Sequence, residues 1–240
     1  MIRISLLIAL LMLCGNSEAQ DWSTPDISAI KKIVSKKKSD QYYPLLYARM
    51  LRPAETITAE EFKLLYYGYS FTPSYDLRDS VMTDKSYELL LAATTDSTAI
   101  DKLADHVDSL LRQRAIDPQL LFFKAYCSMI LGQKEEAELW RARCLGIVDV
   151  IRRSGDGLSC KSSWHLLYPA HHIYVLESYD EVPDGKQWYE GKCWRTGLRD
   201  YEQFAKAPYF NVDLWEENQE VWEKEKADKR KLSTVVVEKE

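Results

Sequence analysis

The chain has 240 residues and a formal net charge of −5, with 46% hydrophobic and 12% aromatic residues. That hydrophobic content excludes general disorder, and the acidic balance offers no basic patch for nucleic acid or an anionic membrane surface. About 220 residues beyond the leader are enough for one large domain or two small ones.

The first element is a leader. Met1-Ile-Arg-Ile-Ser carries one positive charge, Leu6 to Cys14 is apolar, and Ser17-Glu-Ala19 puts small residues where a signal peptidase reads. This is the pattern of a bacterial secretory signal, too short to stay as a membrane span. Cleavage after Ala19 leaves Gln20 first, so the mature protein is expected in the periplasm or secreted. A lipid anchor on Cys14 is the alternative, but Leu13 stands where that processing wants Gly, Ala or Ser.

Helices are expected next. Thr24-Pro25 reads as an N-cap with proline at the first helical position, followed by Ile27, Ile30 and Val34 at helical spacing. Ser39 opens a second segment that stops before Pro53. Thr58-Ala-Glu-Glu61 is a capping box opening a helix with Phe62, Leu65, Tyr66 and Tyr69, and residues 71–76 read as loop. Asp84 to Ala93 follows as a helix. Ile100, Leu103, Val107, Leu110 and Leu111 form an amphipathic stripe. Asp117-Pro118 starts a helix ending near Gly132, and Glu135 to Ile151 ends at Gly155-Asp-Gly157.

Beyond Gly157, Trp164 to Leu176 is rich in aromatic and β-branched residues around Pro169. It reads as two short strands, or one bulged edge strand. Asp184-Gly185 is a turn signal, and Tyr189 to Trp194 and Tyr209 to Trp215 are further strand candidates. Glu216 to Lys231 is a charged helix or tail. The expected fold class is α+β, mainly α: consecutive helical hairpins, then a small C-terminal β segment. The layout is a signal at 1–19, a helical region at 20–157, a β-containing segment at 158–215 packed on the helices, and a charged end at 216–240.

Chemistry-bearing residues are sparse. Cys127, Cys144, Cys160 and Cys193 fit no zinc spacing; they are either disulfides or buried thiols. His165, His171 and His172 are close in sequence. In an extended segment, however, His171 and His172 face opposite ways, and His165 and His171 lie about 20 Å apart. No metal or cofactor is expected. Tyr66, Tyr67 and Tyr69 are expected to pack first, with at least one hydroxyl on a recognition surface. A hydrolase built on His165 with Asp156 or Cys160 is one alternative. Carbohydrate or small-ligand binding through exposed Tyr and Trp is another.

The hairpin Pro118 to Ile151 resembles one tetratricopeptide repeat, with Ala125, Gly132 and Ala137 at the small-residue positions and Arg141 where a large residue belongs. Stacked on Ile100 to Arg114, it would place Leu103, Val107 and Leu110 against Leu121 and Ala125. Lys124 and Arg141 would then line a groove for an unidentified protein or peptide partner. The favoured reading is therefore a non-enzymatic binding module.

Glu60-Glu-Phe-Lys-Leu-Leu-Tyr-Tyr-Gly-Tyr-Ser-Phe71, preceded by Tyr42-Tyr43-Pro-Leu-Leu46, together with Ser154-Gly-Asp-Gly157 and Trp164-His165, resembles the domain of unknown function 4919 family. The resemblance runs from about Ala29 to Leu214 and implies an exported protein of a Gram-negative bacterium. It implies an acidic residue and a tyrosine after the first strand, where this chain has His171-His172-Ile173-Tyr174. It brings no activity with it.

Overall fold

The computed structural model describes residues 22–76, 83–96, 98–199 and 207–219. Residues 1–19, where a leader is expected, and most of the charged C-terminal stretch lie outside these residues. Among the described residues seven helices come first: α1 (Ile27–Val34), α2 (Tyr43–Met50), α3 (Ala59–Gly68), α4 (Asp84–Thr95), α5 (Ala99–Leu111), α6 (Pro118–Ile130) and α7 (Lys134–Arg152). A mixed segment follows, with β1 (Trp164–His165), α8 (His172–Glu177), β2 (Pro183–Glu190), β3 (Cys193–Leu198) and β4 (Tyr209–Asn211). The fold is α+β and mainly α.

The helix starts are set by local chemistry. Thr58 and Glu61 form the reciprocal capping box, with Glu61 N donating to Thr58 Oγ1 at 3.3 Å and Thr58 N to Glu61 Oε2 at 2.9 Å. Asp117 caps α6 by accepting from Gln119 N at 2.9 Å, and Pro118 fills the first helical position, which needs no N–H. The α6–α7 corner is a Schellman turn, in which Gln133 N reaches Ser128 O at 2.9 Å. α1 begins later than Thr24-Pro25 suggests: the cap is Asp26, whose carboxylate accepts from Ala29 N. α2 likewise starts at Tyr43 rather than Ser39, because Ser39 is held in a turn by its bonds to Lys36 O and Gln41 N.

α3 is the hub. It packs on α1, α2 and α7, while α4 to α7 stack in sequence order. Leu103, Val107 and Leu121 are buried at the α5–α6 contact, with Leu110 and Ala125 packed against the same core.

The sheet has the order β1-β4-β3-β2, with β1 parallel to β4 and the other pairs antiparallel. Trp164 and Trp194 both pair with Phe210 in register, so three large rings lie side by side across the sheet at tilted angles. The segment from Trp164 to Leu176 is not two strands. Only Trp164–His165 is extended, and Pro169 starts a 3₁₀ turn leading into α8, because its fixed φ suits the first position of a helix. Asp184-Gly185 is not the hairpin turn either. Gly185 sits at a register shift inside β2, and the chain reverses at Gly191-Lys192. From Tyr209 the strand lasts three residues, and residues 213–219 are helical, with Asn211 accepting from Asp213 N at 3.1 Å.

Candidate functional site

The Tyr-Tyr-Gly-Tyr element and the Ser-Gly-Asp-Gly loop are far apart in sequence and meet at one buried joint. Tyr67 donates to His165 O at 3.1 Å, and His165 N donates to Ser154 Oγ at 2.8 Å. Trp164 Nε1 donates to Gly155 O at 3.0 Å, and its ring stacks on Tyr179. Gly155 leaves no room for a side chain, since a Cβ would lie 2.3 Å from Ser163 O. Gly157 has φ +70° and a Cβ there would meet the Trp164 ring at 2.8 Å.

Tyr66 occupies the centre of the joint. Its oxygen accepts from Leu167 N at 2.9 Å, which turns its own proton toward His171 Nδ1 at 2.8 Å. His171 Nε2 makes no hydrogen bond and faces Asp117 Oδ2 at 3.7 Å. Arg114 lies beyond, 2.6 Å from Asp76 and 3.6 Å from Asp117, with its guanidinium 4.1 Å above the Tyr168 ring. Burial works to raise the Asp117 carboxyl. The facing His171 imidazole, Arg114 and the Leu120 amide outweigh it and hold the group below the usual carboxylate range. Burial drives the Tyr66 hydroxyl well above the ordinary tyrosine value. With Tyr66 at 0% exposure and His171 and Asp117 at 2%, no substrate reaches these groups. The joint holds α3, α6 and the mixed segment together.

The sequence-predicted site residues are not gathered in one place. Tyr66, Tyr67 and Tyr69 are all interior; Tyr69 donates to Ser74 O at 2.9 Å and Gln113 O at 3.0 Å. Lys124 is 8% exposed and bridges Asp108 of α5 at 2.9 Å and Glu136 of α7 at 3.3 Å, so it is a clamp within the helical stack rather than a groove residue. Arg141 is exposed and paired with Glu138 on its own helix at 3.1 Å. His165 is half-buried; burial lowers its pKa and the Asp213 carboxylate opposes that shift. Asp156 does not pair with His165, and its Oδ1 accepts from Leu158 N at 2.9 Å. Cys160 is disulfide-bonded to Cys193, which removes it as a nucleophile. Cys127 and Cys144 are free and buried, and burial pushes their thiols up to about 11 and about 12.

An open site lies on the other side of α3. A cleft of about 550 Å³ runs between the end of α1, the outer face of α2, the turn after α3 and the end of α5. Tyr42, Tyr43, Tyr47 and Phe71 form its walls together with Pro44 and Pro73. Tyr47 is fixed there by three bonds. Its hydroxyl donates toward Leu111 O and Arg112 O, both at 3.0 Å, and accepts from Ala115 N at 3.0 Å. Burial pushes that hydroxyl up to about 12, so it stays neutral. Lys37 and Arg112 also line the cleft. A smaller cavity of about 370 Å³ lies between α3 and α7, where Lys63 pairs with Glu60 and Arg153 with Asp149. Sequence reasoning missed the larger cleft, although Tyr42-Tyr43-Pro44 and Phe71-Thr-Pro73 both set aromatic residues beside prolines at helix ends.

Among the described residues no helix is long and apolar enough to cross a membrane. The chain matches the model of a family described as a domain of unknown function, DUF4919, over residues 28–220, and it belongs to that family. No curated protein and no solved structure matches it.

Proposed function

We propose that this member of the DUF4919 family is an exported, non-enzymatic module that binds an apolar peptide segment in the cleft between α1, α2 and α5. The observation that carries the reading is the cleft itself. It has the volume of a ligand site, and two of its aromatic walls, Tyr43 and Tyr47, are held in place by hydrogen bonds from their hydroxyls. Rigid aromatic walls with neighbouring prolines suit extended peptide, because little side-chain freedom is lost on contact. The hydrolase reading has less support, since Cys160 is in a disulfide and His165 has no carboxylate partner at Asp156.

Export is supported by the leader pattern of residues 1–19 and by the Cys160–Cys193 disulfide, a bond suited to an oxidising compartment. Mass spectrometry of the native protein is expected to find Gln20, or its cyclised form, at the N-terminus.

The binding test uses Ser74→Trp. Ser74 is exposed, lines the cleft and bonds Tyr69 through its backbone carbonyl, so an indole there fills the cleft without disturbing that bond. The mature protein is expected to bind aromatic and proline-containing peptides on an array, and the variant to lose them at an unchanged melting temperature. Peptide binding that survives Ser74→Trp would put the binding surface elsewhere.

A further inference from the structure

Charge on the cleft walls is one-sided. The chain carries more acidic than basic residues, 37 against 32, yet the cleft lining includes Lys37 and Arg112 and no carboxylate. Neither cation has an ion-pair partner among the described residues. The carboxylate one helical turn before Arg112 is Asp108, and it is held by Lys124 at 2.9 Å. Lys31 adds a third positive charge, lying 5.2 Å above the ring of Phe71. Helix carbonyl ends would ordinarily make such a wall negative. At α5 they are partly covered, because the Tyr47 hydroxyl shares its proton between Leu111 O and Arg112 O.

We infer that the peptide seated in the cleft presents a negative group to Lys37 and Arg112, and that this group is its C-terminal carboxylate, with the apolar residues before it lying on the tyrosine walls. The inference rests on the cleft being the binding surface. A free peptide end is favoured over an internal acidic side chain by size: about 550 Å³ holds only a few residues, and a chain end places its own charge within that short length. Arg112 can take a carboxylate bidentately, while Lys37 adds a point charge from the turn after α1.

The experiment titrates the mature protein with two pools of random tetrapeptides, identical except that one ends in a free carboxylate and the other in an amide. Backbone amide NMR shifts of cleft residues provide the readout. The carboxylate pool is expected to bind about five- to tenfold more tightly, the gain of two partly exposed charge pairs. The double variant Lys37→Gln, Arg112→Gln should erase that difference at an unchanged melting temperature, since both side chains are exposed. Equal binding of the two pools, still lost in Ser74→Trp, would overturn the inference and leave the cleft reading standing. No shifts with either pool would remove the cleft reading as well. Laurate that binds while neither pool does would assign the same charge chemistry to a lipid and overturn the peptide end.

Discussion

Tyrosine builds both the buried joint and the open cleft, using opposite ends of the side chain. In the joint the hydroxyl is the working group: Tyr66 links Leu167 N to His171, and Tyr67 reaches His165 O. In the cleft the ring faces form the surface, and the hydroxyls of Tyr43 and Tyr47 point back to hold the wall in place. Tyr69 belongs to the cleft, with its hydroxyl bonded to Ser74 O and Gln113 O, both of residues that line it. The conspicuous tyrosine motif is therefore mainly a joint between distant parts of the chain. The surface that can meet a partner is made by less conspicuous neighbours.

The first way to break this distinction is Trp164→Ala. The ring is fully buried among Tyr179 and Phe210, so its loss is expected to cost about 3–5 kcal/mol by urea denaturation. A cost below about 1 kcal/mol would show that the joint does not hold the fold.

Lys124→Glu comes next. The substitution sets a third carboxylate against Asp108 and Glu136 at a nearly buried position, and about 2–4 kcal/mol of stability should be lost. Unchanged melting would return Lys124 to the surface, as its position on a repeat-like helix suggests.

How much of this was legible in the sequence depended on distance along the chain. The Thr58 capping box, the Asp117-Pro118 start and the α5 stripe are local signals, and they appear where the residues place them. The same holds for the mainly α fold with a small late sheet. Pro169 was ambiguous because proline can interrupt a strand or begin a helical turn, and here it takes the first position of a 3₁₀ turn. The joint was not legible at all, because Tyr66 and His171 are 105 residues apart and nothing local marks them as partners. The cleft was hidden for a related reason. Its walls come from four elements that are separated along the chain.

Asp117→Asn sharpens the electrostatic half of the comparison. The folded protein holds this carboxyl below its ordinary value, so its contribution is complete above the unfolded value of about 3.9 and is lost as pH falls through the folded one. The variant is expected to lose about 1–3 kcal/mol at pH 7 and to show a shallower decline of stability below about pH 4. An acid limb identical to the parent's would mean that Asp117 is not the group coupling the joint to pH.

The smallest effects separate the two regions most directly, because the same atom is removed from each. Tyr66→Phe deletes a hydroxyl that is buried between a backbone amide and an imidazole, leaving Leu167 N and His171 Nδ1 without their partner. About 1–3 kcal/mol should be lost. Tyr42→Phe deletes a hydroxyl on a half-buried ring at the cleft, where it makes no hydrogen bond among the described residues. Stability there should move by less than about 0.5 kcal/mol, and the ring left in place should keep peptide binding within about twofold. Tyr42→Ala removes the ring as well, and binding should fall while stability changes little. If Tyr42→Phe destabilises the fold as much as Tyr66→Phe, the hydroxyl at the cleft is structural too. The contrast between a bonded interior and an open aromatic wall would then be lost.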